Sequence, residues 1–143
     1  MSDIPLGKAT AYDRDLLFPV PRSANRRELG ITDDDLPFGG FDHWRAYELS
    51  WLMPSGQPVV ALADILVPCD SPNLVESKSM KLYFNSLNQH VFADAELARR
   101  TMEQDLSDAA GAPVSIIVHA GDASAVHTAD VTDAVLLDDL RVT

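Results

Sequence analysis

Asn73-Leu74-Val75-Glu76-Ser77-Lys78-Ser79-Met80-Lys81-Leu82-Tyr83 is where the chain changes its period. Upstream, over residues 43–53, Tyr47, Leu49, Trp51 and Met53 alternate with Glu48 and Ser50, the pattern of a half-buried strand with all four on one side. Pro54-Ser55-Gly56-Gln57-Pro58 makes a turn, and residues 59–67 form a β-branched, apolar strand whose only charge is Asp64. The two runs predict an antiparallel hairpin with a loop of about five residues. After Ser71-Pro72 the spacing becomes helical, starting near Asn73. Met80, Tyr83 or Phe84, Leu87 and Val91 recur on one stripe, with Glu76 one turn earlier. A second helix is predicted over 94–110, capped by Asp94, stopped by Gly111-Ala112-Pro113, and buried through Leu97, Ala98, Met102, Leu106 and Ala109. Residues 114–118 give a third strand and 131–140 a fourth. The order β-β-α-α-β-β predicts an α+β fold, an antiparallel four-stranded sheet with two helices on one face.

Residues 1–42 read as an N-terminal arm, interrupted by Pro5, Pro19, Pro21, Gly30, Pro37, Gly39 and Gly40, and 43–143 as the single packed module. The 143 residues carry a net charge of −11, which argues against a nucleic-acid backbone as partner. The acids read as a solvated surface, while two basic islands (Arg22, Arg26 and Arg27; Lys78 and Lys81) suit an anionic small ligand. No run of about 20 apolar residues is available for a membrane span. The start carries no signal peptide, so the expected address is cytoplasmic. One cysteine, Cys69, and scattered histidines leave no disulfide or metal-site spacing.

The 73–83 segment packs Glu, Ser, Lys, Ser and Lys into the first turns of a helix. Unpaired N–H groups there, with Lys78 and Lys81, suit a phosphate or another anion. Glu76, an acceptor-only carboxylate, suits the paired N–H donors of a guanine-like edge. The plainer alternative is an amphipathic helix with Glu and Lys solvated. The place of Glu76 on the apolar stripe argues against that, because an unpaired buried carboxylate is costly. Cys69 follows a strand end, with Asp70 beside it, and reads first as an inert small residue.

Glu76-Ser77-Lys78-Ser79-Met80-Lys81-Leu82-Tyr83 resembles the Glu-Ser-Lys-Ser-apolar-Lys-Leu-Tyr signature of the QueF family of nitrile reductases. Pro5-Leu6-Gly7-Lys8, Val20-Pro21-Arg22-Ser23, Leu36-Pro37-Phe38, Tyr47-Glu48-Leu49-Ser50-Trp51-Leu52 and Asn85-Ser86 extend the resemblance to the first module of the two-module form. Leu137-Asp138-Asp139-Leu140 resembles the stretch leading into the second module. The resemblance implies a tunnelling-fold (T-fold) unit that associates with other units. It also implies NADPH-dependent reduction of the nitrile of 7-cyano-7-deazaguanine to an aminomethyl group, in queuosine biosynthesis for tRNA modification. In that family a cysteine adds to the nitrile to give a thioimide and an aspartate handles the proton. By the resemblance Val75, Glu76 and Ser77 hold the substrate, and Ser77 and Lys78 contact NADPH.

The catalytic positions depart from the pattern. Anchored on Gly56-Gln57-Pro58, the place of the cysteine holds Leu52 (or Met53) and that of the aspartate holds Val59; an expected His-Glu pair falls at Asp94-Ala95. The expectation is therefore a substrate- and cofactor-binding half with no catalytic residue or metal of its own. It would work with a catalytic module, in the same longer chain or as a separate subunit. Two other readings stand beside it: a stand-alone purine- or pterin-binding module without catalysis, and an enzyme using Cys69.

Overall fold

The computed structural model describes residues 11–121. After a 3-10 turn at Arg14–Leu16 come β1 (Pro19–Pro21), α1 (Arg22–Glu28), β2 (Phe41–Leu52) and β3 (Pro58–Pro68). Then follow β4 (Asn73–Val75), α2 (Ser77–Ser86), α3 (Ala95–Ala110) and β5 (Ser115–Ala120). The mixed α/β class is as expected. An antiparallel sheet in the order β2-β3-β5 carries the core, and β1 pairs with β4 in a separate two-stranded ribbon. The expected fourth strand at 131–140 lies outside the described residues.

The hairpin and its five-residue loop, 53–57, form as predicted, but β2 does not keep one parity. Ala46 pairs with Ala63 and Leu49 with Ala61, so Tyr47 and Glu48 together oppose Leu62 in a β-bulge. Trp44 and Ala46 therefore share the helix-facing side with Leu49 and Trp51. Tyr47, expected on that side, is instead 64% exposed. The helix-facing residues of β3 are Ala61, Ala63, Ile65 and Val67, all buried against Met80, Tyr83, Phe84 and Leu87 of the α2 region and Met102 and Leu106 of α3.

Three helix expectations need correction. The helix does not begin near Asn73: residues 73–75 are β4, drawn into extended conformation by pairing with Pro19–Pro21, and the helix starts at Ser77. It ends at Ser86, so Val91 is exposed and instead bridges Leu52. On α3 the caps are as read. Asp94 accepts from the Leu97 N–H, and Gly111 takes the left-handed conformation at φ 73°. Leu97, however, is exposed, and Asp105 occupies the buried stripe in its place.

Asp105 is 4% exposed and holds the start of the described chain against the helices. Its Oδ2 accepts from the hydroxyls of Tyr12 and of Tyr83, the latter at 2.7 Å, and Arg14 lies 3.7 Å from Oδ1. Burial and the adjoining carboxylate push both tyrosine hydroxyls far above their ordinary pKa, so they stay protonated and donate to Asp105. Further along, Arg22 bonds Ser71 and pairs with Asp42 at 2.5 Å, and Arg26 donates to the Cys69 carbonyl. Residues 11–28 of the expected arm thus lie against the packed module, and the basic island at Arg22 and Arg26 stitches them to the strands.

Removing the shared acceptor should be costly, because two tyrosine hydroxyls would lose it together. Asp105→Ala is expected to destabilise the fold by about 3 kcal/mol, and Tyr83→Phe by about 1 kcal/mol, read from urea unfolding midpoints.

Candidate functional site

The turn from β4 into α2 is built around Glu76. Its backbone is extended, at φ −63° and ψ 134°, and it serves as N-cap rather than as a member of the buried stripe. The carboxylate folds back on its own helix: Oε1 accepts from Lys78 N at 2.8 Å and Oε2 from Ser79 N at 2.7 Å. Those two backbone hydrogen bonds, ahead of the Ser77 hydroxyl and the Lys78 charge, hold the Glu76 pKa below the ordinary carboxylate value. The group is thus ionised and partly exposed. A carboxylate offers about four lone-pair sites; Oε2 keeps one open, while the second site of Oε1 is taken by a long bond of 3.4 Å from the exposed Ser77 hydroxyl, which an outside donor would displace.

Around this cap the predicted residues separate. Ser77 and Lys78 are exposed on the first turn, whereas the Val75 side chain is buried at 3% exposure, so only its backbone can meet a ligand. Beside them a cavity of about 370 Å3 opens between α2 and the bulged stretch of β2. Ser77, Lys81 and Asn85 line one wall and Trp44, Tyr47 and Glu48 the other, with Met80 and Phe84 at its floor. Glu76 and Lys78 do not line it. The bulge is what turns Tyr47 and Glu48 toward this space, and alternation alone gives no sign of it. Lys81 was legible in the signature; its partner wall was not.

The family model for the N-terminal part of nitrile reductases, 7-cyano-7-deazaguanine reductases, matches residues 8–118. The chain belongs to that family. The NADPH-dependent 7-cyano-7-deazaguanine reductase of Dechloromonas aromatica (strain RCB) is 50% identical over 143 residues, covering 97% of this chain and 50% of that relative. The chain therefore spans about half the length of this curated nitrile reductase.

The positions where the sequence reading looked for a cysteine, an aspartate and a His-Glu pair perform structural work here. Leu52 donates its N–H to the His90 carbonyl and accepts from Phe92 N, and Val59 pairs with Trp51 in the hairpin. Asp94 caps α3 and Ala95 is its first residue. Cys69 is partly exposed past the end of β3, its backbone bonded to Gly40 and Arg26. Among the described residues no cluster of three or more His, Cys, Asp or Glu side chains could hold a metal ion, and no helix is long and apolar enough to cross a membrane.

A second charged constellation, on the opposite face of the sheet, was not anticipated. Asp64 Oδ1 receives His43 Nε2 at 2.7 Å and Arg45 Nε at 2.8 Å, and Oδ2 lies 2.9 Å from His119 Nε2. The lone charge in β3 was the available clue: Arg45 stands directly opposite it once the bulge is counted. Arg45, followed by the two histidines, holds the Asp64 carboxyl far below the usual carboxylate range. Glu96, bonded by Arg99 and Arg100, is likewise lowered to about 2. A folded-state pKa below the unfolded value means that the unfolded chain binds more protons on acidification, so this stability is present above the ordinary carboxylate pKa and lost below it. The unfolding midpoint should therefore fall steeply below about pH 4. Asp64→Asn, less stable at neutral pH, should show a shallower acid decline in urea titrations at stepped pH.

Proposed function

We propose that the chain is the substrate- and cofactor-binding half of an NADPH-dependent 7-cyano-7-deazaguanine reductase, a T-fold module (43–143) with an N-terminal arm (1–42), acting in the cytoplasm in queuosine biosynthesis. The observation that carries this reading is the Glu76 cap. An ionised carboxylate is fixed by two backbone N–H groups while keeping an open acceptor site on Oε2 and, on Oε1, one held only by the long bond from the Ser77 hydroxyl, the complement of the paired N–H donors on a deazaguanine edge. Ser77 and the Val75 backbone flank it. Family membership and the half-length match to a named reductase agree with that use.

NADPH, when bound, supplies hydride to the nitrile carbon. The chemistry of the nearby donors suits its phosphates: Lys78 and Lys81 are exposed ammonium groups on the first turns of α2, next to the Ser77 hydroxyl. Nothing at Leu52 or Val59 can attack a nitrile or carry a proton. The nucleophile and the proton donor then come from a catalytic module, in the same longer chain or a separate subunit. Among the described residues the outer edge of β2 over 41–50 has no strand partner, and an open edge of that length favours association.

Titration with 7-cyano-7-deazaguanine should show binding that Glu76→Gln weakens about 10- to 100-fold, the loss of a charge-assisted donor pair. Binding indifferent to Glu76 would refute this reading, and a chain that binds the base tightly with no gain from a catalytic partner would be a stand-alone purine-binding module. Intact-mass measurement after incubation with the nitrile should show no adduct; an adduct would move the chemistry to Cys69. Gel filtration at high concentration should give a species larger than the monomer.

A further inference from the structure

Ser79 stands at the centre of a closed set of hydrogen bonds that joins two distant parts of the chain. Its side chain is nearly buried, at 6% exposure. The hydroxyl donates to the Glu76 carbonyl at 2.7 Å and accepts from the Phe18 N–H at 3.0 Å. Its own N–H donates to Glu76 Oε2, and the Glu76 N–H donates to the Phe18 carbonyl at 2.9 Å. Phe18 thus grips Glu76 directly through one bond and through Ser79 by the other. A hydroxyl offers one donor and two acceptor sites, and here both functions are in use.

We propose that Ser79 is a positioning residue for Glu76, locking the cap to the docked segment at Phe18 so that the carboxylate presents its outward acceptor sites in one orientation. The inference rests on the reading of Glu76 as the acceptor for the ligand. A serine hydroxyl bonding back to the carbonyl three residues earlier is common at helix starts and needs no further purpose. That local habit does not account for Phe18, 61 residues away in sequence, whose N–H meets the same oxygen. Loss of the hydroxyl would leave the Phe18 N–H and the Glu76 carbonyl without this link. The cap could then rock about the β4–α2 junction while the helix itself persists. A bidentate acceptor tolerates such rocking poorly, because both donor–acceptor lines must be met together.

The test is the affinity of the full chain for 7-cyano-7-deazaguanine, measured by calorimetric titration well below the unfolding midpoint of each variant. Ser79→Ala removes the hydroxyl, Ser79→Cys removes it at nearly constant volume, and Ser79→Thr keeps it. The expected result is about a five- to tenfold weaker Kd in the alanine and cysteine variants. The threonine variant should recover most of that loss, whatever the order of the unfolding midpoints. Unchanged affinity in the alanine and cysteine variants, while Glu76→Gln still weakens binding, would overturn the role of Ser79 alone. Binding by the unsubstituted chain that ignores Glu76→Gln would overturn the underlying reading and this inference with it.

Discussion

Everything around the candidate site depends on how the first N–H groups of α2 are satisfied. A helix begins with donors that have no partner in their own ladder, and here the Glu76 carboxylate takes two of them. Glutamate is not a favoured N-cap, because its longer side chain must fold back to reach the second and third N–H groups. The surrounding structure makes that fold-back possible by fixing the backbone on both sides. β4 holds residues 73–75 extended, and Phe18 accepts the Glu76 N–H. A charged acceptor is thereby held at the surface without being neutralised by a side-chain cation.

The same economy governs the acidic residues that are not at the surface. Most acidic residues among the described residues are exposed, and two enclosed carboxylates, Asp105 and Asp64, are each surrounded by donors. Asp105 receives tyrosine hydroxyls and binds the first described residues to the helices. Asp64 gathers an arginine and two histidines on the face of the sheet away from the helices. Neither position is open to an outside donor in the way Glu76 is, and that difference separates the carboxylates that hold the fold from the one offered to a ligand.

Much of this was legible in the sequence where local signals and tertiary context agree. The hairpin, its loop and both caps of α3 follow from alternation, breakers, Asp94 and Gly111. The start of α2 was misplaced because β4 owes its conformation to pairing with Pro19–Pro21, more than fifty residues upstream, a partner that no local window contains. Leu97 was placed in the core by its hydrophobicity, yet the buried stripe needed Asp105, whose partners Tyr12 and Tyr83 lie far away in the chain. Glu76, Ser77 and Lys78 were readable as a group because the signature is contiguous. The wall formed by Trp44, Tyr47 and Glu48 was not, since one extra residue in β2 leaves no mark on composition.

That extra residue divides β2 into two reading frames. Even-numbered positions face the helices before the bulge and odd-numbered positions after it. Segments exchanged between relatives are therefore interchangeable only if the crossover preserves the count through Tyr47 and Glu48. A recombinant that drops one of them would turn Trp44 and Ala46 to the opposite face and drive Arg45 and His43 under the helices, however similar the flanking sequences.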